Sequence, residues 1–287
     1  MGQVMGKVAV EDDKAKEPEG PSFPDYMLDS NAVTNDKATW RYGGPPDYTV
    51  TRQMWANGML ASSSPKGKQP TKVLRCADFN PTEKRANHEA KSLETLVENL
   101  VKNWEIEASH KMDVSEWRTV DPAKYTFAIN GGPPQDAEHM LKVGTYSAVI
   151  APNKYYGANS TFDESHKTFR DMMPNFAWEV LEVYSGPPVV AFKWRHWGWM
   201  KGDYVGKNED GSTVTIKAHR GILDIQGVTV AKLSDKFQVT SLETWFDPTD
   251  MFRQMRPSDE TMTTKRMQCP MGYTADLKGM GSAGVGH

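Results

Sequence analysis

Cysteine is almost missing from the chain: its 287 residues hold Cys76 and Cys269, far apart and in unlike surroundings. Two such residues cannot make a disulfide framework, so a reducing compartment is the expectation. Long apolar runs are missing too. No stretch approaches the roughly eighteen apolar residues of a membrane-spanning helix, and the first residues lack a cationic start followed by an apolar run. A cytoplasmic protein without a membrane span is expected. The opening Met1-Gly2-Gln3-Val4-Met5-Gly6 has Gly6 where a myristoylation signal wants Ser or Thr.

Charge of one sign is also scarce. The formal net charge is -3, the isoelectric point is near 6.2, and no block of five basic residues occurs, which argues against nucleic acid and anionic membrane surfaces as partners. Metal-binding spacings such as HxH, HxxxH and HExxH are absent, and His166 and His196 fall in different predicted elements. Gly43-Gly44 and Gly131-Gly132 sit beside prolines in turns and do not open a phosphate-binding helix. No nucleophile elbow is present. Cys269-Pro270 lies in a Gly-rich stretch without the helical partner that a haem thiolate would need. No metal and no cofactor are expected.

Hydrophobic residues make up 38% and charged residues 25%, a globular composition, while a mean hydropathy of -0.63 assigns much of the polar content to tails and loops. Residues 1–38 are rich in Asp, Glu, Lys and Pro without periodicity, the mark of a disordered or loosely docked tail. A domain over 39–256 and a Gly- and Met-rich C-terminal arm over 257–287 complete the expected organisation. Within the domain, 62–72 reads as a loop.

Helical spacing of Leu93, Val97, Leu100 and Trp104, with Ser92 as N-cap, predicts the main helix. A short helix is predicted over 135–141, and another over 162–172, stopped by Pro174. Strand-like segments fall at 117–130. A hairpin joins 176–184 to 189–199 through Ser185-Gly186-Pro187-Pro188, and further strands are predicted at about 214–233 and 237–246. Helices first and hairpin-linked strands later predict an α+β domain, an antiparallel sheet with helices packed on one side.

Several segments resemble, in order, the barley-type pathogen-related proteins of plants. They are Trp40 to Tyr48, Asn103-Trp104-Glu105-Ile106-Glu107-Ala108-Ser109-His110, Asn130-Gly131-Gly132, Glu164-Ser165-His166, Phe176-Ala177-Trp178-Glu179-Val180-Leu181-Glu182-Val183-Tyr184, and Phe192-Lys193-Trp194-Arg195-His196-Trp197-Gly198. The run Leu242-Glu243-Thr244-Trp245-Phe246-Asp247-Pro248, followed by Met251 and Gln254-Met255, is similar to the closing strand of SnoaL-like polyketide cyclases. That second resemblance implies the nuclear-transport-factor-like cone, a curved sheet enclosing an apolar pocket. It also implies that the acid at Asp247 moves a proton on a hydrophobic carbonyl substrate.

The residues themselves suggest candidates. Glu107 falls on the apolar stripe of the main helix and must either pair with Lys111 or an internal Arg, or face a cavity. His110, about 100° off that stripe, reads as a half-buried structural histidine. Alternation from Phe176 places Trp178, Glu182 and Tyr184 on one face, and alternation from Val190 places Phe192, Trp194 and His196 together. Such an aromatic wall ending in one titratable group suits either a small-molecule pocket or a β-protein core. Arg195 and Lys193 fall on the other face, solvated or paired with Glu179. Asp247 is either a catalytic carboxylate or the cap of the following helix. The candidate ligand contacts are therefore Trp104, Glu107, Trp178, Tyr184, Phe192 and Trp194, with His196 and Asp247 as the candidate catalytic pair. The expected function is a pocket for a small hydrophobic molecule, polyketide- or terpenoid-like, in one of two forms: a cofactor-free cyclase or isomerase, or a non-catalytic binding protein of defence. A structural subunit of a larger complex stays open, as does a homodimer.

Overall fold

A computed structural model describes residues 22–48, 84–157 and 161–256. The first 21 residues, the loop at 62–72, Cys76, and the arm 257–287 with Cys269-Pro270 lie outside the described residues. The helices are α1 (Asp25–Leu28), α2 (Leu93–His110), α3 (Ala137–Val143), α4 (Thr145–Val149), α5 (Phe162–Met172) and α6 (Pro248–Met255). The strands are β1 (Thr126–Ile129), β2 (Phe176–Ser185), β3 (Val189–Trp199), β4 (Tyr204–Lys207), β5 (Thr213–Ile216), β6 (Ile222–Leu233) and β7 (Val239–Phe246). The α+β class follows from this content. No described helix is long and apolar enough to cross a membrane.

Local chemistry sets the helix ends. The Ser92 hydroxyl accepts from the Thr95 amide at 3.3 Å, and Thr161 and Glu164 close a reciprocal capping box at the start of α5. Both satisfy amides that a first helical turn leaves without partners.

The main sheet is curved and unclosed, with strand order β1-β7-β6-β3-β2. Its pairs are antiparallel except at the edge, where β1 runs parallel to β7. The predicted all-antiparallel sheet thus gains one parallel edge strand, delivered by the segment that follows α2. The predicted strand at 214–233 also divides. β5 leaves to pair with β4 in a separate ribbon, because Asp203 accepts from the Ala218 amide at 2.9 Å and Arg220 adopts a positive φ of 57°, which turns the chain before β6.

Register builds one continuous face across the sheet. Trp178 lies opposite His196, and His196 opposite Ile225. The next rows join Trp194 to Gly227 and Phe246, then Phe192 to Thr229 and Thr244, then Val190 to Ala231 and Leu242. Helix α2 packs against this face through Val97, Leu100 and Trp104. Gly227 is required here: a Cβ at that position would lie 2.3 Å from Trp194 Cζ2, so its absence lets the indole lie flat across the strand.

On the opposite face Arg195 is fully buried. It binds Glu179 at 3.1 Å and Asp224 at 3.0 Å, while Glu179 also accepts the amides of Arg85 and Ala86 at 2.8 and 3.1 Å. Of the alternatives open for Arg195, the pairing with Glu179 holds. A buried guanidinium needs such partners.

Two expectations are corrected. Residues 22–38 are no loose tail: Val33 is fully buried and Tyr26, Met27 and Ala32 nearly so. Asn103 on α2 accepts from the Val33 amide at 3.1 Å and donates to the carbonyls of Tyr26 and Asp29 at 3.0 and 2.7 Å. The polar composition of the segment hid a few apolar side chains whose backbone is satisfied from a distant helix. Alternation along β2 also fails past Val180, because the register shifts between Val180 and Glu182 and again between Val183 and Ser185. Each shift reverses parity. Val183 therefore joins the Trp178 face opposite Phe192, and Tyr184 sits 55% exposed.

Candidate functional site

Between α2 and the sheet face described above lies a cavity of about 360 Å³, within the usual range for small-molecule sites. Its body is apolar, with walls from Val97, Leu100, Trp104, Trp178, Phe192 and Trp194 and a far side from Ile129, Leu242 and Phe246. Several polar groups in the wall are held by hydrogen bonds within the protein. Trp194 donates its indole N–H to the Thr229 hydroxyl at 2.9 Å, Thr229 shares a short hydrogen bond with Thr244, and Trp104 donates to the Tyr125 hydroxyl at 3.1 Å.

Three histidines line the cavity: His110, His166 and His196. His196 lies within 2.8 Å of the Ala177 carbonyl through Nδ1, which places the proton on Nδ1 and leaves Nε2 as acceptor. Burial pushes it down to about 3, against the opposing effect of the Ala177 bond. His166 is pushed down to about 4 by burial, with the hydrogen bond to the Phe162 carbonyl opposing and the nearby His110, Arg170 and Arg41 adding to the fall. His110 falls to about 4, again through burial first. All three are neutral at pH 7.

One end of the cavity is distinct. His166 stacks on Phe162 at 4.1 Å between ring centres and meets Tyr146 edge-on at 5.7 Å, while His110 meets Tyr42 and Tyr48 edge-on at 5.9 Å each. Arg170 lies 5.5 Å over the Tyr42 ring, and Arg41 3.5 Å over Phe162. His166 and Arg170 share a face of α5 because they are four residues apart. That spacing is present in the sequence, and its meaning appears only when α5 is placed against α2.

The predicted residues divide. Trp104, Trp178, Phe192, Trp194, His196 and Asp247 all line the cavity. Tyr184 does not, because of the register shift in β2. Nor does Glu107, which is fully buried at the other side of α2, where it accepts from Lys111 at 2.9 Å, the Arg118 amide at 2.7 Å and the Thr119 amide at 3.0 Å.

His196 and Asp247 are not assembled as a pair. Strand β6 separates β3 from β7, which sets their strands about 10 Å apart, and each has other partners. The half-exposed Asp247 caps α6, accepting from the Thr249 amide at 2.9 Å and hydroxyl at 2.7 Å, and pairs with Arg253. Burial would raise its carboxyl, but those bonds hold it below the usual carboxylate range. Arg170 and Tyr146 also line the cavity and were not singled out from the sequence, while His166 entered there only within the Glu164-Ser165-His166 segment and as a rejected metal ligand.

The chain is 28% identical over 221 residues to the pathogen-related protein of Hordeum vulgare, a match covering 74% of this chain and 79% of that one. No family model matches it. Among solved structures it is similar to a protein from Jannaschia sp. CCS1 described as a SnoaL-like polyketide cyclase, at 15% identity and a TM-score of 0.33, covering 59% of this chain and 97% of the other. It is also similar to a protein of ketosteroid isomerase-like fold from Catenulispora acidiphila, solved with trimethylamine, at 12% identity and a TM-score of 0.31, covering 56% of this chain and 95% of that one.

Proposed function

We propose that this protein binds a small, largely hydrophobic molecule in the cavity between α2 and the main sheet. The observation that carries this reading is the cavity of about 360 Å³ with aromatic and aliphatic walls in which the indoles of Trp104 and Trp194 already have hydrogen-bond partners. An apolar guest would release water from such walls and leave those hydrogen bonds intact. The 28% identity to the pathogen-related protein of Hordeum vulgare supports a role connected with the response to pathogens as part of this proposal.

Binding is favoured over turnover by the state of the candidate catalytic groups. Asp247 is occupied as a helix cap and by Arg253, and His196, held near 3, is a weak base at neutral pH. The test uses Nile red, a neutral apolar dye, on the full chain. Wild-type protein should enhance its emission with saturable, micromolar affinity. Ala231→Phe, which places a benzyl group over the middle of the sheet face, should weaken binding tenfold or more while near-ultraviolet circular dichroism stays native. A folded protein that does not bind the dye, or a folded Ala231→Phe variant that binds it equally well, would overturn the proposal.

A further inference from the structure

His196 brings to the cavity a polar atom that its neighbours do not answer. It lines the cavity from β3 within an apolar patch: the Phe176 ring centre lies 3.4 Å from that of the imidazole, Trp178 is its register partner on β2, and Ile225 is its partner on β6. Nδ1 lies 2.8 Å from the Ala177 carbonyl and therefore carries the ring proton. Nε2 is then a lone-pair acceptor. It has no hydrogen-bond partner among the described residues. Unlike His110 Nδ1 and Trp117 Nε1, it is not sealed off by protein. Because His196 stands on the sheet face that walls the cavity, the surface left to Nε2 opens there.

A wholly apolar guest would dry this patch and strand the nitrogen, which is unfavourable. A carboxylate is acceptor-only and would set lone pair against lone pair. An ammonium would meet no counter-charge among Phe176, Trp178 and Ile225. A neutral hydroxyl meets the requirement, because its proton satisfies Nε2 and its own loss of water is offset by the same bond. The Ala177 bond holds the ring in place, so the acceptor is aimed before a guest arrives, the condition under which one polar contact selects among apolar molecules.

Resting on the binding reading above, we propose that the ligand is a neutral alcohol or phenol that donates its hydroxyl proton to His196 Nε2 and lays its apolar body along Trp178, Phe192 and Trp194. Phe192 and Trp194 continue the face of β3 on which His196 stands, so a hydroxyl at one end of an apolar body leaves the rest against that wall.

The test compares octanol with its isomer heptyl methyl ether on the full chain, by isothermal titration calorimetry and by displacement of Nile red. The two molecules have the same atoms and nearly the same length, but the ether has no proton to donate. Wild-type protein should bind the alcohol at least about fivefold more tightly. In His196→Phe, which keeps a flat ring and removes the acceptor, that preference should shrink to about one. Nitrogen NMR reports on the contact itself: the unprotonated ring nitrogen of His196 should shift upfield with octanol and stay in place with the ether. Equal affinity of alcohol and ether for wild-type protein, tighter binding of the ether, or binding of the dye but of neither compound would overturn the hydroxyl assignment while leaving the cavity reading in place. Failure of the dye and of both compounds to bind folded protein would overturn the cavity reading itself. Should His196→Phe not fold, because the Ala177 carbonyl loses its donor, the wild-type comparison and the nitrogen shift still decide. A full preference for the alcohol in a folded His196→Phe variant would refute the role given to His196.

Discussion

Replacing Glu107 by Gln should be among the most damaging single changes in this protein, although the residue touches no part of the cavity. Its carboxylate is fully buried together with the Lys111 ammonium. Lys111 directs its three protons to Glu107 at 2.9 Å, Asp36 at 2.7 Å and the Glu116 carbonyl at 2.7 Å, while Glu107 also receives the amides of Arg118 and Thr119 and the Thr119 hydroxyl. Glutamine keeps the shape, but its NH₂ must face one of these donors, and the ammonium loses its innermost counter-charge. Breaking a buried pair from one side costs about 3–5 kcal/mol. For a domain of this size that corresponds to a fall of about 6–20 °C in melting temperature. Urea unfolding followed by tryptophan fluorescence measures the loss directly. The double variant Glu107→Gln with Lys111→Met should be less unstable than the two single losses added together, since it removes the stranded charge. A single-variant loss below about 1 kcal/mol, or strict additivity, would refute the view that this pair ties α2 to the 36–40 and 116–119 segments.

Acid should destabilise the fold earlier than carboxylates alone would allow. His110 and His166 are held near 4 and His196 near 3 in the folded state, against an ordinary 6.5, so the unfolded chain binds more protons between those values. Their contribution to stability is complete above about pH 6.5 and is lost as pH falls toward 4, at about 1.4 kcal/mol per pH unit for each histidine. Urea midpoints from pH 7 to 4.5 should show this slope, His196→Gln should flatten it, and a level profile would refute it. Asp247 offers a separate check on its capping role. Asp247→Ala should cost about 1 kcal/mol, whereas Asp247→Asn, which keeps a capping oxygen, should cost less, and equal thermal shifts for the two would contradict the assignment.

What could be read from the residues alone followed from local rules. The long helix with its Ser92 cap, α5 with its stop before Pro174, and the β2–β3 hairpin all rest on periodicity and turn chemistry that act within a few residues. The same alternation placed Phe192, Trp194 and His196 on one face, and that face does line the cavity. It failed at Tyr184, because a register shift leaves no mark in the spacing of apolar residues. Composition failed at 22–38, where the partner that orders the chain, Asn103, lies some seventy residues away. The choice between ion pair and cavity for Glu107, and between base and cap for Asp247, turned on which donors came within 3 Å. The end of the cavity that holds His110 and His166 was beyond reach for the same reason. His110, His166, Arg170 and Arg41 come from three separate segments, each unremarkable by itself, and only the tertiary structure brings them near one another.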